Sequence, residues 1–402
     1  MNKRKITIIK HCCLIVMAVM LFVSCQCNNI SKDNITIYPF PSENDGSENG
    51  LSALYAGLVE DNIVIMGGCN FPEQPASEGG KKRYYKSIYT APVPTDADTV
   101  LQWQKIGEID DASAYGVSLS MLGGVVCVGG TTEKKSLSTA NIIMIDKDSM
   151  EITINPLPDL PVSLDNMGGA VMDTMLIVAG GNANGKPSNR VFLLDFTNLQ
   201  QEWVELPSFP GNPRVQPVCA VMTNQEGEKA FYIWGGFSPS INDRPPTVSA
   251  NGYRYIFKKG EWEELSAPKV GEEEIFLGGA AVSIINDTMS VFSGGVNAHI
   301  FLKALQREAA IKEAVSKKDT ITEKMLRAEA KEYMIQHPEW YKFNPRVLVY
   351  NSKRNNWEEI VVTPLTARAG ASLLHKEGEL YSIGGETKPG IRDAHVVKVL
   401  LE

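Results

Sequence analysis

Six short apolar runs that each end in a double glycine, tryptophan-led segments between them, and one long Ala/Glu/Lys/Leu-rich stretch predict an all-β fold: a six-bladed kelch-type β-propeller with a two-helix insertion in blade five. The runs are "NIVIMGG", "VVCVGG", "MLIVAGG", "AFYIWGG", "MSVFSGG" and "ELYSIGG", with glycine pairs beginning at Gly67, Gly129, Gly180, Gly235, Gly294 and Gly384. They recur a little above the ~50-residue period of a kelch unit, with one longer interval before the last. Segments led by Trp103, Trp203, Trp262 and Trp357 supply the outermost strand of four units, where aromatic and β-branched residues suit a half-buried pleated surface.

In chain order, the N-terminus has a basic start at Lys3, Arg4 and Lys5 and an apolar run from Leu14 to Val23. That run is too short to span a bilayer, so residues 1–24 read as a signal peptide of an exported, periplasmic protein. "LFVSC" resembles a bacterial lipobox, which makes Cys25 the lipidated first mature residue and tethers the protein to a membrane; simple cleavage is the alternative. Residues 34–402 then form one propeller. The segment "NITIYPF" precedes blade one and is free to complete blade six, closing the ring and protecting its edges. The long interval holds residues 298–340, read as two helices with a cap at Asp319/Thr320 and Glu323 after it, either a lid over one mouth or a surface decoration.

The 402 residues carry 39 Lys and Arg against 47 Asp and Glu, a net charge of −8, which argues against general nucleic-acid binding. Beyond the signal region the cysteines are Cys69, Cys127 and Cys219, an odd number without a CxxC pair, expected as buried free thiols. The five histidines, His11, His299, His337, His375 and His395, form no pair at ligand spacing, so no metal site is expected.

Up-and-down blades bring the loop after strand two and the connector between blades to the same end of the ring. "GGETKPGIRDA" sets Glu386 after strand two of blade six and Arg392 at the opening of strand three. Connectors add Arg214 and Gln216 from "FPGNPRVQP" and Tyr115 from "ASAYGVSL", with Asn297 leading into the insertion and Lys81, Lys82 and Arg83 in the blade-one loop. Each has a plainer reading: Glu386 with Arg392 as a surface ion pair, Arg214 as a brace between blades, Tyr115 as a core aromatic, Asn297 as a turn residue, and the basic run as a solvated loop.

Together "GETKPGIRDA", "AYGVSL", "FPGNPRVQP" and "GGVNAHIF" resemble the bacterial N-acetylneuraminate mutarotase (epimerase) family, in its cyclically permuted branch, over nearly all of 34–402. The resemblance implies interconversion of the α and β anomers of a small sugar acid without a cofactor, with Glu386 as acid/base and Arg392 assisting it. Arg214, Tyr115, Asn297 and Gln216 are the candidate substrate contacts. The chemistry is consistent: one carboxylate can move the proton that opens the hemiketal ring, and a planar guanidinium matches the carboxylate on the anomeric carbon. "SENDGSENG" does not satisfy the S-x-D-x-G box of sialidases, and the histidines do not suit a copper-dependent kelch oxidase. A non-catalytic module binding a glycan or protein at the same face is the remaining alternative.

Overall fold

The second strand of each repeat is an unbroken apolar run rather than an alternating one, because neighbouring sheets cover it on both faces. Ala230, Phe231, Tyr232, Ile233 and Trp234 are all buried, whereas the outermost strand Gln104–Glu108 is exposed or half-buried throughout. The protein is described here by a computed structural model covering residues 34–146, 148–198, 202–241 and 244–401. Residues 1–24, read above as a signal peptide, and Cys25 lie outside the described residues. From Ile35 onward the chain forms one compact unit.

That unit is mostly β. Among the described residues there are six four-stranded antiparallel sheets, four two-stranded ones and one three-stranded one. Their first strands are Tyr55–Val59, Val117–Met121, Gly168–Met172, Val218–Thr223, Ala280–Asn286 and Ser372–Lys376. Each packs on the next, and the last packs on the first. The double glycines follow the second strands and permit close packing there: a Cβ at Gly384 would lie 2.3 Å from the Leu51 carbonyl oxygen. The sixth sheet takes its fourth strand from Ile35–Pro39, paired with His395–Leu400. The Trp103 indole N–H donates to the Pro39 carbonyl across the seam, at 3.0 Å.

Just before each first strand the chain passes through a left-handed residue, at Ala53, Tyr115, Asn166, Gln216, Gly279 and Gly370. These six form a closed ring of backbone hydrogen bonds. Tyr115 N–H donates to Ala53, Ala53 to Gly370, Gly370 to Gly279, Gly279 to Gln216, Gln216 to Asn166 and Asn166 to Tyr115, at 2.7 to 3.2 Å. Four of the six carry a Cβ in a conformation that ordinarily disfavours one. The ring's bonds satisfy backbone groups that burial would otherwise leave unpaired.

Between strands two and three of the fifth sheet run α1 (Ala298–Lys317) and α2 (Thr320–Ile335). Asp319 caps α2 by accepting from Thr322 N, while Glu323 pairs with Arg327 instead of reaching back to the cap. Phe301 of α1 packs edge-on against Phe237, a residue of the fourth sheet's small hairpin, with ring centroids 4.9 Å apart. At the end of α2, the Gln336 carbonyl accepts from Lys388 Nζ at 2.7 Å. No helix among the described residues is long and apolar enough to cross a membrane. Cys69 and Cys219 are buried free thiols; Cys127 keeps partial exposure.

Candidate functional site

Glu386 and Arg392 face each other across a two-stranded hairpin, Glu386–Lys388 with Ile391–Arg392. Arg392 therefore does not open the third strand, which begins at His395. A turn with Gly390 at φ 83, and the Asp393 N–H donating to the Gly385 carbonyl, pinch the hairpin off first. Its root is held to the connector of the sixth sheet by reciprocal backbone bonds between Glu386 and Ala369. Arg392 Nη1 donates to Glu386 Oε2 at 2.5 Å, Nε donates to the Cys69 carbonyl, and the guanidinium lies 5.3 Å from the Phe71 ring centroid.

The two groups differ in access. The Arg392 side chain is 3% exposed and that of Glu386 29%, and Glu386 Oε1 has no hydrogen-bond partner among the described residues. Burial works against the Arg392 charge, but Glu386, Tyr115 and Cys69 outweigh it and raise its pKa. The cation is permanent at any physiological pH.

Tyr115 joins this pair from the second sheet. Its hydroxyl accepts from Lys82 Nζ at 3.0 Å and from the Cys69 thiol at 3.5 Å, and the Lys82 ammonium sits 4.9 Å from its ring centroid. Burial, then the charges of Cys69 and Glu386, push the phenol well above its ordinary value, with Arg392 opposing. Tyr84 is pushed up to about 12, first by burial and then by Cys69, Asp165 and Glu133. From α2, Tyr333 is raised by burial and Tyr341, with a contribution from Glu386, so the helices reach the same acid. Lys82 thus belongs to the site rather than to a solvated loop, whereas Arg83 pairs with exposed Glu73.

Two candidates are occupied elsewhere. Arg214 is 2% exposed; its fork donates to the carbonyls of Gly235 and Asn251 and to Asn251 Oδ1, and burial pushes it down to about 10. Arg368, at the same offset from its ring residue, likewise donates to the Gly384 and His395 carbonyls and pairs with Asp393. Both are braces inside their sheets, so the expected substrate contact at Arg214 gives way to the plainer reading. Asn297 caps α1, its side chain accepting from Ile300 N at 3.1 Å.

Gln216 lies on the ring, its Nε2 donating to Asn166 Oδ1 at 2.9 Å. With Tyr115, Asn166, Ala53, Gly279 and Gly370 it rims an axial channel of about 420 Å³ that runs past Ser120 and Ile284 to His375. Glu386 and Arg392 do not line the channel, but the charges of both act on Tyr115, which does. The reading of the sequence missed Asn166, Asp165, Cys69, Phe71 and Tyr333. Aligning "LDNMGG" with "SAYGVS" and "RVQPVC" as equivalent connectors would have exposed Asn166. Among the described residues no group of three or more His, Cys, Asp or Glu side chains is placed to hold a metal ion.

Fold and site together define a mostly β protein built of small antiparallel sheets, with an ion-paired carboxylate and guanidinium beside a polar ring. Residues 157–402 match the family model of N-acetylneuraminate epimerase, a region that holds Glu386, Arg392, Arg214, Gln216 and Asn297 but not Tyr115. The chain belongs to the N-acetylneuraminate epimerase family. It is 31% identical over 236 residues to the N-acetylneuraminate epimerase of Salmonella arizonae, covering 59% of this chain and 56% of that protein. It is 29% identical over 273 residues to that of Yersinia enterocolitica, covering 65% and 64%. A solved structure of YjhT superposes with a TM-score of 0.51 at 25% identity, over 61% of this chain and 65% of that one. The matches thus span between about half and two thirds of these proteins' own length.

Proposed function

We propose that this chain is a sialic acid mutarotase, interconverting the α and β anomers of N-acetylneuraminate on a six-bladed kelch-type β-propeller whose fifth blade carries the helical insertion 298–340. The observation that carries the reading is the Glu386–Arg392 pair, held beside the ring mouth with Tyr115 in electrostatic contact. Family membership supports it. The closed ring of backbone bonds and the cyclic packing of first strands support the six-bladed reading, and the strand from Ile35–Pro39 supports the permuted order.

In this reading Glu386 takes the proton of the anomeric hydroxyl, the bond from the anomeric carbon to the ring oxygen breaks as the anomeric carbonyl forms, and the Glu386 carboxyl hands that proton to the ring oxygen. The open keto form rotates about its carbon–carbon bond and recloses on the opposite face by the reverse steps. A positioned acid/base group contributes about 10²–10⁴-fold. Arg392 Nη2, without a partner among the described residues, and the Lys82 ammonium supply positive charge for the substrate carboxylate. Tyr115 and Gln216 line the sugar's side of the mouth.

Export, cleavage after residue 24 and lipidation at Cys25 complete the proposal; the basic, apolar and small-residue pattern of the N-terminus supports them. The deciding experiment follows freshly released α-N-acetylneuraminate by NMR with the wild-type protein and with Glu386→Gln. Faster approach to anomeric equilibrium, lost in the variant, supports the enzyme; binding without acceleration supports the non-catalytic module instead.

A further inference from the structure

The six ring residues are chemically lopsided. Ala53, Gly279 and Gly370 leave their half of the mouth bare, while Tyr115, Asn166 and Gln216 line the other half with polar groups. Behind the polar half lies Asp165, 6% exposed. Its Oδ1 accepts from Asn166 Nδ2 at 2.7 Å and from Asn182 Nδ2 at 2.8 Å, and its Oδ2 accepts from the Ser136 hydroxyl. Asn166 Oδ1 in turn accepts from Gln216 Nε2 at 2.9 Å.

This chain of contacts settles which way each amide points. A carboxylate only accepts, so the Asn166 nitrogen must face Asp165 and its oxygen must face Gln216. Gln216 must then present its nitrogen to Asn166. Reversing Gln216 alone would set two oxygens against each other, and curing that by reversing Asn166 would set its oxygen against the carboxylate. The Gln216 oxygen is left over the bare side: a Cβ added at Gly279 would sit 3.4 Å from Oε1, and among the described residues no hydrogen bond reaches that atom.

We infer that Asp165 is a positioning residue that, through Asn166, holds the Gln216 oxygen toward the mouth to accept the acetamido N–H of the substrate. This rests on the ligand site proposed above. Sugar hydroxyls donate and accept, so either end of a glutamine amide would satisfy them. An amide N–H only donates, and a fixed acceptor selects for it.

The test compares N-acetylneuraminate with its ester isostere, in which oxygen replaces the acetamido N–H. Dissociation constants and anomerisation rates are measured for wild type, Asp165→Asn and Gln216→Leu, with thermal melting to verify folding. Wild type should prefer the amide by about tenfold or more, the scale of leaving a buried acceptor unpaired. Both variants should bring the preference to within about threefold, Asp165→Asn because it frees the amides to reverse. A merely structural role would weaken both ligands equally and leave the ratio intact. A ratio unchanged in both folded variants, or no preference in wild type, overturns the inference. Preference without accelerated anomerisation would overturn the mutarotase and sustain this inference; no binding of either ligand would overturn both.

Discussion

Glu386 Oε2 and Arg392 Nη1 are 2.5 Å apart on opposite arms of a hairpin joined by Pro389 and Gly390, yet the arginine side chain is buried and that of the glutamate is not. The asymmetry suits a site in which the cation is a fixed electrostatic floor and the carboxylate meets the ligand. A proton carrier needs access; a charge stabiliser benefits from exclusion of water.

Glu386→Gln preserves shape and removes the group that moves the proton. The catalysed anomerisation rate should fall by about 10²–10⁴-fold, read by NMR, with ligand affinity reduced far less. A variant as fast as wild type would remove Glu386 from the mechanism.

Arg214→Met should destabilise the fold by about 2–4 kcal/mol, because the carbonyls of Gly235 and Asn251 lose their buried donor. Urea unfolding measures the loss. At a temperature where the variant is folded, its kcat/KM should match wild type; a selective rise in KM would restore Arg214 to the binding site.

Alkaline stability has a definite sign. Tyr55, Tyr115, Tyr333, Tyr350 and Tyr381 are all raised above the ordinary tyrosine value, first by burial. Their contribution is fully present below pH ~10, where both states hold the proton, and is lost as pH rises toward the folded-state values, because only the unfolded chain releases it. Arg214, lowered by burial, acts in the opposite direction as a single group. The melting temperature should therefore drop steeply between pH 9.5 and 11 on the scale of ~10 for tyrosine, and a flat profile there would contradict the burial of these phenols.

Deleting residues 35–39 should leave the strand His395–Leu400 with an unpaired edge and remove the carbonyl that the Trp103 indole meets. Exposed edges template association, so size-exclusion chromatography should show oligomers or aggregates, together with a lower melting temperature. A monomer of unchanged stability would show that this strand does not close the ring.

The strands were legible in the amino-acid order because burial on both faces writes an unbroken apolar run and close packing writes a double glycine after it. The nearness of Glu386 and Arg392 was legible as well, since a short turn with Pro389 and Gly390 returns the chain on itself within a few residues. Their placement on a separate hairpin was not, because it depends on Asp393, whose backbone bonds Gly385 and whose side chain holds Arg368. Arg214 was ambiguous for a similar reason: a guanidinium near a mouth and one turned inward to carbonyls have the same local sequence.

What the sequence by itself determined, then, is the local layer: strand runs, turns, the two helices with the cap at Asp319, and the nearness of Glu386 to Arg392. These follow from apolar runs, capping and turn chemistry acting over a few residues. Only the tertiary structure decided that Lys82 and Cys69 meet Tyr115, that Asp165 orients Asn166 and Gln216, and that half the mouth is bare. Apart from the neighbours Asp165 and Asn166, those relations join residues tens to hundreds of positions apart, and a closed circle of backbone hydrogen bonds holds Ala53, Tyr115 and Gln216 in left-handed conformations that their local preferences disfavour.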